Sequence, residues 1–520
     1  MRYTKVYSCK RMGEKMSGQS IMRHAVCMSV LLCTLAAAIT SYGVVPANAE
    51  AKQEDKTAID FVKIDQFIEQ SMEQLDIPGA AIGIVQDDTP IYLKGYGEAV
   101  AGHSAVTPQT PFILGSTSKS FTALAVMQLV DDGRIGLDQP VQQYLPEFRP
   151  ADTEASATIT VRELLNQTSG IPTSAGVGLP SPKLTLEQLP AAQQKLTLRD
   201  NPNGQQFEYS NLNYDLLGSL IEAVSGLSFE QYMERHIFEP LGMKQTFASR
   251  ESASAHGMAQ GYQPVFGWML PTNPVERPSS VPSGYILSSA EDMTRYLTAQ
   301  MGSFADPQKK IISESSLALM HGKDGPEVVA NVHYGMGWML DKETYLHGGA
   351  VENFQSYMFV QEPIGVVLLL NTNNPFLSSV DLIAHGIRQI VNGEEPEENL
   401  IPSMNGMNWG MRLIALASLA FVARSLYVLL VWKQVIKRRK RSLVLHGLSI
   451  GLLHMIIPLL VLLGTPLYIG FPWELLIVAM PGFSHLLLYV SIILLMLGAI
   501  RLVLIIISFR RKDSMTRLIV

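Results

Sequence analysis

The sequence predicts an α/β (α+β) fold: one antiparallel sheet flanked by terminal helices, an inserted helical subdomain, and three transmembrane helices after it. Three observations predict this. Strand patterns gather near residues 79–96 and 334–371, the two ends of one segment, and helical patterns with long loops fill the stretch between them. Residues 413–432, 443–463 and 483–507 are apolar almost throughout. At 1.5 Å per residue each can cross about 30 Å of hydrocarbon.

Composition agrees. The 520 residues are 47% hydrophobic and 17% charged, with 40 basic and 46 acidic side chains, and soluble domains carry roughly 25% charge. A formal charge of −6 gives no basic face for nucleic acid, which excludes that partner class. The only cysteines are Cys9, Cys27 and Cys33. Once that segment is removed, a cysteine nucleophile and a thiolate zinc site are both excluded.

At the N-terminus, basic residues from Arg2 to Arg23 precede an apolar run from Ala25 to about Ile39 and then Ala47-Asn48-Ala49. This order predicts a secretory signal peptide over 1–49, cleaved after Ala49, with an uncleaved anchor as the alternative. Leu32 stands before Cys33 where a lipidation signal carries a small residue, so lipidation is rejected.

Residues 58–75 read as a helix, and Gly79 to Tyr96 as a hairpin turning at Gln86-Asp87-Asp88. Ser116 to Val130 is apolar nearly all round, the mark of a buried helix. Val161 to Leu165 and Asn213 to Val224 are further helical pieces. Strands are expected at Tyr334–Leu340, Thr344–Gly348, Phe354–Val360 and Val366–Leu370, then a helix from about Phe376 to Val391. The domain therefore covers 57–392. Glu394, Glu395, Glu397 and Glu398 with Pro396 and Pro402 mark an exposed linker over 393–412. The anchor covers 413–507 and a tail 508–520.

Between the first two apolar stretches lie Lys433, Lys437, Arg438, Arg439, Lys440 and Arg441, and after the third lie Arg510, Arg511 and Lys512. Positive charge marks the cytoplasmic side, so everything before residue 412 is expected outside, at the outer face of the cytoplasmic membrane. This agrees with the leader and makes the lipid bilayer a partner. Arg424 and Arg501 fall toward the cytoplasmic ends of their spans and are expected to snorkel.

Ser116-Thr117-Ser118-Lys119 is the only S-x-x-K. At the start of a helix, positions three apart share a face, so the Lys119 amine can reach the Ser116 hydroxyl. A partly desolvated lysine can lose its proton and act as a base. Tyr209-Ser210-Asn211, the only Y-x-N, follows the loop Asn201-Pro202-Asn203-Gly204 and precedes a helix. A tyrosine held beside a lysine can shuttle protons because a cationic neighbour lowers its pKa, and the Asn211 amide can orient substrate or the lysine. His347-Gly348-Gly349-Ala350 sits on an expected strand whose glycines let a substrate backbone approach. The Ala350 and Ser116 N–H groups can form an oxyanion hole. The eleven histidines are scattered with no H-E-x-x-H, so no metal site and no cofactor is expected.

The order and contexts of these three boxes resemble the penicillin-recognising serine hydrolases, and most closely the class C β-lactamase-like branch with S-x-x-K, Y-x-N and K/H-x-G boxes. Ile159 to Pro172, Pro240-Leu241-Gly242-Met243 and Pro282 to Asp292 are also similar to that family. The leader and three C-terminal spans resemble membrane-anchored penicillin-binding-protein-like proteins of Gram-positive bacteria. The resemblance implies a β-lactamase/transpeptidase-like fold with Ser116 as acylated nucleophile and Lys119 and Tyr209 sharing the acid and base work. Asn211 then positions the substrate amide, while His347, Gly348, Gly349 and Ala350 line the substrate strand. True class C enzymes carry lysine where this chain has His347, mostly neutral at pH 7. The departure favours a D-alanyl peptidase or esterase of cell-envelope substrates over a β-lactamase. A non-catalytic receptor for wall fragments is the alternative from another class. The substrate loops fall around 173–206 and 250–280, and the sequence leaves the oligomeric state open.

Overall fold

The computed structural model describes residues 59–517 apart from 178–183, 200–205, 276, 303–309, 323–324 and 435–442. The expected leader with its cleavage site and cysteines lies outside the described residues. So do the 201–204 loop, the basic residues from Lys437 to Arg441, and the last residues of the tail.

The sheet forms because the two ends of the domain pair with each other. Its strands, in chain order, are β1 Gly79–Gln86, β2 Thr89–Val100 and β3 Ser104–Ala105. The short β4 Phe112–Ile113, β5 Gly261–Val265, β6 Trp268–Thr272 and β7 Leu287–Ser288 stand apart from it. Then come β8 Glu327–Val329, β9 Val332–Tyr334, β10 Met339–Asp341, β11 Thr344–Ala350, β12 Gln355–Gln361 and β13 Ile364–Leu370. The nine-stranded sheet runs β3-β2-β1-β13-β12-β11-β10-β9-β8. Its centre is β1 against β13, antiparallel from Ala80↔Leu370 to Gln86↔Ile364.

Side chains alternate across β1 with period two. Ala80, Ile82 and Ile84 enter one core with helices α1 Phe61–Leu75 and a C-terminal helix, Ser379–Val391. Ala81 and Val85 enter the second core on the opposite face, with the buried helix and the inserted helical region. Asp60 caps α1, accepting from Lys63 N at 3.0 Å.

Three expectations change. Tyr334–Leu340 is not one strand: Tyr334 closes β9 and pairs with Met339 of β10, and the chain reverses through Gly337 at φ +78°. The buried helix proper, α2 Ser118–Asp131, begins two residues after Ser116, which sits in a preceding 3₁₀ turn, Gly115–Thr117. The segment 250–280 contains a helix, Arg250–Ala255, and the β5–β6 hairpin.

Among the described residues, three helices are long and apolar enough to cross a membrane: Asn405–Leu430, Leu445–Ile469 and Phe483–Ile507. The first begins earlier than the apolar run, and within its first turn the Asn408 amide donates to Asp76 Oδ2 at 2.8 Å. The acidic residues before it are exposed, yet Lys63 pairs with Glu395 at 2.5 Å and Met404 N donates to Gln74 O at 3.2 Å.

Arg501 does not snorkel. It is 4% exposed, inside the helix bundle, its guanidinium 3.0 Å from His454 Nε2 and donating to Ser425 O at 2.5 Å. Ser425 Oγ also lies 2.9 Å from His454 Nε2, so one residue from each helix enters a single polar knot. A π-helical turn at Gly451–Ile456 carries His454 to this point. Arg424, by contrast, is exposed on its helix.

Candidate active site

The site is built where the turn before α2 meets the edge of β11. Gly115 has φ +59°, and a Cβ there would lie 2.4 Å from Ala350 N, so glycine alone permits both the turn and the approach. Ser116 follows and is the one residue of 111–127 that is not buried. The turn is pinned from behind. Leu114 O accepts from Thr117 Oγ1 at 2.9 Å and from Ser356 Oγ of β12, and Thr117 Oγ1 and Ser356 Oγ are 3.0 Å apart.

Lys119 stands one turn on, with no exposed surface. Its Nζ donates to Asn211 Oδ1 at 2.7 Å and to Ser283 O at 2.7 Å, and lies 3.2 Å from Ser116 Oγ. The two carbonyl oxygens can only accept. The serine contact alone can run in either direction, from an ammonium to the hydroxyl or from the hydroxyl to a neutral amine. Burial holds the lysine well below the ordinary lysine range, and the charge of Asp215 partly opposes this. Asp215 is itself pushed up by burial, with Ser283 and Ser280 hydrogen bonds opposing.

Asn211 opens helix α3 Asn211–Ser225, and Tyr209 precedes it. The Tyr209 hydroxyl is hydrogen-bonded with Ser116. Lys119 Nζ is 4.7 Å from the Tyr209 ring centroid, and the Tyr334 ring meets the same ring edge-on at 6.1 Å. The expected lowering of this phenol does not occur. Burial pushes it well above the ordinary tyrosine range, Tyr334 adds to the rise, and the Ser116 hydrogen bond only partly offsets it. Lys119, not Tyr209, is therefore the group whose proton is easily lost.

His347, Gly348, Gly349 and Ala350 lie on β11 in register with Met358, Tyr357, Ser356 and Gln355. His347 Nδ1 donates to Gly348 O at 2.6 Å, which leaves the lone pair on Nε2, buried with no partner among the described residues. Burial and the nearby lysine charge lower its pKa to about 3, so the imidazole is neutral across the working range. A Cβ at Gly349 would lie 2.0 Å from Leu114 O and 3.0 Å from Ser116 N. Gly349→Ala is thus expected to push the serine turn off the strand and lower kcat/KM on the order of 10²-fold, measured beside the thermal midpoint to separate misplacement from unfolding.

All eight residues singled out in the sequence flank this one crevice. Four others that place them were not singled out. Gln167, at φ +60°, takes Ser210 N at 2.9 Å and Asn213 Nδ2 at 2.5 Å on its Oε1, which fixes the Tyr209 segment. Ser283 supplies the carbonyl for Lys119, Ser356 braces the turn, and Asp215 sits one helical turn beyond Asn211. Gln167 and Ser283 fall inside the family-like stretches, so a signal existed for them. Glu352, two residues past Ala350, accepts from Tyr285 Oη at 3.1 Å and pairs with Arg277 at 2.9 Å, closing the end of β11.

The crevice does not coincide with the cavity of about 940 Å³ lined by Glu222, Arg250, Arg277 and Tyr285, which neither Ser116 nor Lys119 touches. No metal-ligating cluster occurs among the described residues.

Residues 64–386 match the family model described as Beta-lactamase. Protein flp of Staphylococcus aureus (strain MW2) is 32% identical over 64% of this chain and 66% of its own length, so the chain spans just under two thirds of that relative. Penicillin-binding protein 4 of Amycolatopsis lactamdurans is 30% identical over 62% of this chain and 88% of its own. The octameric penicillin-binding protein homologue from Pyrococcus abyssi superposes with a TM-score of 0.56 at 30% identity, covering 65% of this chain and 79% of that one.

Proposed function

Because the chain belongs to the Beta-lactamase family, we propose that it is a membrane-anchored serine hydrolase working outside the cell through an acyl-enzyme on Ser116. Its substrates are D-alanyl amides or esters of the cell envelope, such as peptidoglycan stems or D-alanylated teichoic acids. The observation that carries the reading is the setting of Lys119 Nζ, which has two carbonyl acceptors and one serine hydroxyl as its hydrogen-bond partners and no carboxylate among the described residues.

Ser116 Oγ attacks the substrate carbonyl carbon and passes its proton to neutral Lys119. The oxyanion is held by the Ser116 and Ala350 N–H groups. The C–N or C–O bond then breaks, and the leaving amine or alcohol takes the proton from Lys119 through the Tyr209 hydroxyl. Water repeats the sequence on the ester and frees Ser116. Gly348 and Gly349 leave the strand edge open to the substrate backbone, and Asn211 faces the amide. The outward orientation rests on the leader and on the basic residues between and after the apolar helices.

The test is a panel of D-Ala-D-Ala peptide, D-Ala ester and nitrocefin on the purified full chain. Turnover of the first two, absent in Ser116→Ala, supports the reading. No turnover and no labelling by a fluorescent penicillin would remove it, and phenotypic rescue by Ser116→Ala would favour the receptor alternative.

β-Lactam hydrolysis is the second reading, supported by the family match. Neutral His347 weighs against it, because no fixed cation there meets a substrate carboxylate. His347→Lys is expected to raise kcat/KM for nitrocefin relative to the neutral ester by roughly 10- to 100-fold, one charge-assisted hydrogen bond being worth about 1.5–3 kcal/mol.

A further inference from the structure

The β5–β6 hairpin stands outside the main sheet, and its turn reaches the ends of the apolar helices. Arg412 of the first helix donates to Phe266 O at 3.2 Å and Gly267 O at 2.7 Å. Gln263, 3% exposed, donates through Nε2 to Val478 O at 3.0 Å and Ala479 O at 3.3 Å, in the connection between the second and third helices. A Cβ at Gly482, just before the third helix, would lie 2.7 Å from Val265 Cγ1. Every one of these partners belongs to the same end of the helix bundle, opposite the basic loop. The hairpin turn is therefore held at the level where the helices leave the hydrocarbon.

On β6, residues two apart share a face. Trp268 and Leu270 share one, and they are 55% and 43% exposed. Trp409 and Leu413, on the first helix beside them, are 62% and 61% exposed. The Arg412 guanidinium lies 4.6 Å from the Trp268 ring and 5.2 Å from the Trp409 ring. Its two carbonyl contacts leave donors over, and no carboxylate pairs with it among the described residues. Two tryptophans, an aliphatic neighbour and an unneutralised cation at the end of a membrane helix match the headgroup boundary of a phospholipid bilayer. Amphipathic rings settle there, and phosphate takes the guanidinium charge.

We infer that the Trp268–Leu270 face of the β5–β6 hairpin, with Arg412, docks the extracytoplasmic domain onto the phospholipid headgroups of the leaflet it faces. The inference rests on the membrane-anchored part of the proposed function and not on the substrate. It also limits the height of the crevice. Thr272, four residues along β6 from Trp268, accepts from Asn353 Nδ2 at 2.8 Å, and Asn353 lies three residues past Ala350. Seven residues at no more than about 3.6 Å each, plus that hydrogen bond, place the Ala350 N–H within roughly 30 Å of Trp268. The site then serves substrates held near the bilayer rather than far out in the wall.

The test uses the full chain with Cys9, Cys27 and Cys33 replaced by serine. Nitroxide labels are placed singly through Trp268→Cys, Leu270→Cys, Leu319→Cys and Leu419→Cys, in vesicles of phosphatidylethanolamine and phosphatidylglycerol. Leu319, 44% exposed, marks the domain surface, and Leu419, 58% exposed, marks the first apolar helix. The ratio of relaxation by oxygen to relaxation by a water-soluble nickel chelate is expected to be lowest at 319, highest at 419 and intermediate at 268 and 270. Labels at 268 and 270 that behave like 319, while 419 stays oxygen-exposed, would overturn docking alone. An aqueous 419 would overturn the membrane reading together with the docking. Spin–spin broadening at 268 that disappears on dilution with unlabelled protein would assign the face to a second copy and overturn a lipid partner.

Discussion

Ser116→Ala is expected to lower hydrolysis of a D-Ala ester on the order of 10⁴-fold or more while leaving the fold in place. Removing the nucleophile of a covalent mechanism removes the acyl intermediate itself, and only binding and the oxyanion donors remain. The structural cost is small. The side chain is partly exposed, Lys119 keeps its bonds to Asn211 Oδ1 and Ser283 O, and what is lost is the 3.2 Å lysine contact and the Tyr209 contact. One such bond is worth about 1 kcal/mol. Steady-state kinetics beside the thermal midpoint checks both parts. A variant retaining a tenth of the activity would mean that Ser116 is not the attacking group.

Lys119→Arg is expected to cost on the order of 10³-fold, since general base catalysis supplies about 10²–10⁴-fold and arginine stays charged at every working pH. The pH profile carries the sign. Only neutral lysine can take the Ser116 proton, and burial has lowered the Lys119 pKa. Its base form therefore appears below the ordinary lysine range. The wild-type kcat/KM is expected to fall as pH drops through that lowered value and to be flat well before pH 10. The negative charge of Asp215 favours the charged lysine, so Asp215→Asn should move the acid limb to lower pH. Neutral His347 adds no limb near pH 6.5. A profile still rising at pH 10, or an active Lys119→Arg, would return the base role to another group.

The chemistry was more legible than its bracing. The boxes at Ser116, Tyr209 and His347 are visible because each sets particular residue types at a fixed short spacing and the three follow in a fixed order along the chain. Ser356 acts through a hydroxyl that any serine carries, so nothing in the sequence marks it, and Ser283 is marked only by lying in a family-like stretch, not by its carbonyl contact to Lys119. Asp215 reads only as a polar position on a helix until its burial beside the lysine is seen.

The pairing of β1 with β13 was legible from two runs of strand residues at the ends of one segment, despite the distance between them in sequence. Tyr334–Leu340 reads as one strand only if its aromatic and apolar run is carried across Gly335 and Gly337, two glycines that mark a break in a strand pattern, and the chain does reverse at Gly337 with positive φ. For Arg501 the sequence states the depth along the helix but not the direction around it. Depth alone suggested snorkelling, whereas the π-helical turn that brings His454 to face it leaves no clear mark in composition. The β5–β6 hairpin lies within a stretch that the sequence marks only as a loop, and its contacts to the apolar helices lie far away in sequence.

The most direct test of the convergent Ser116–Lys119–Tyr209 site is peptide mass mapping of the full chain after brief exposure to a penicillin. A single acyl adduct on the peptide containing Ser116, absent from Lys119→Arg under the same conditions, is the expected result. An adduct on another residue, or no adduct on a folded chain, would contradict it.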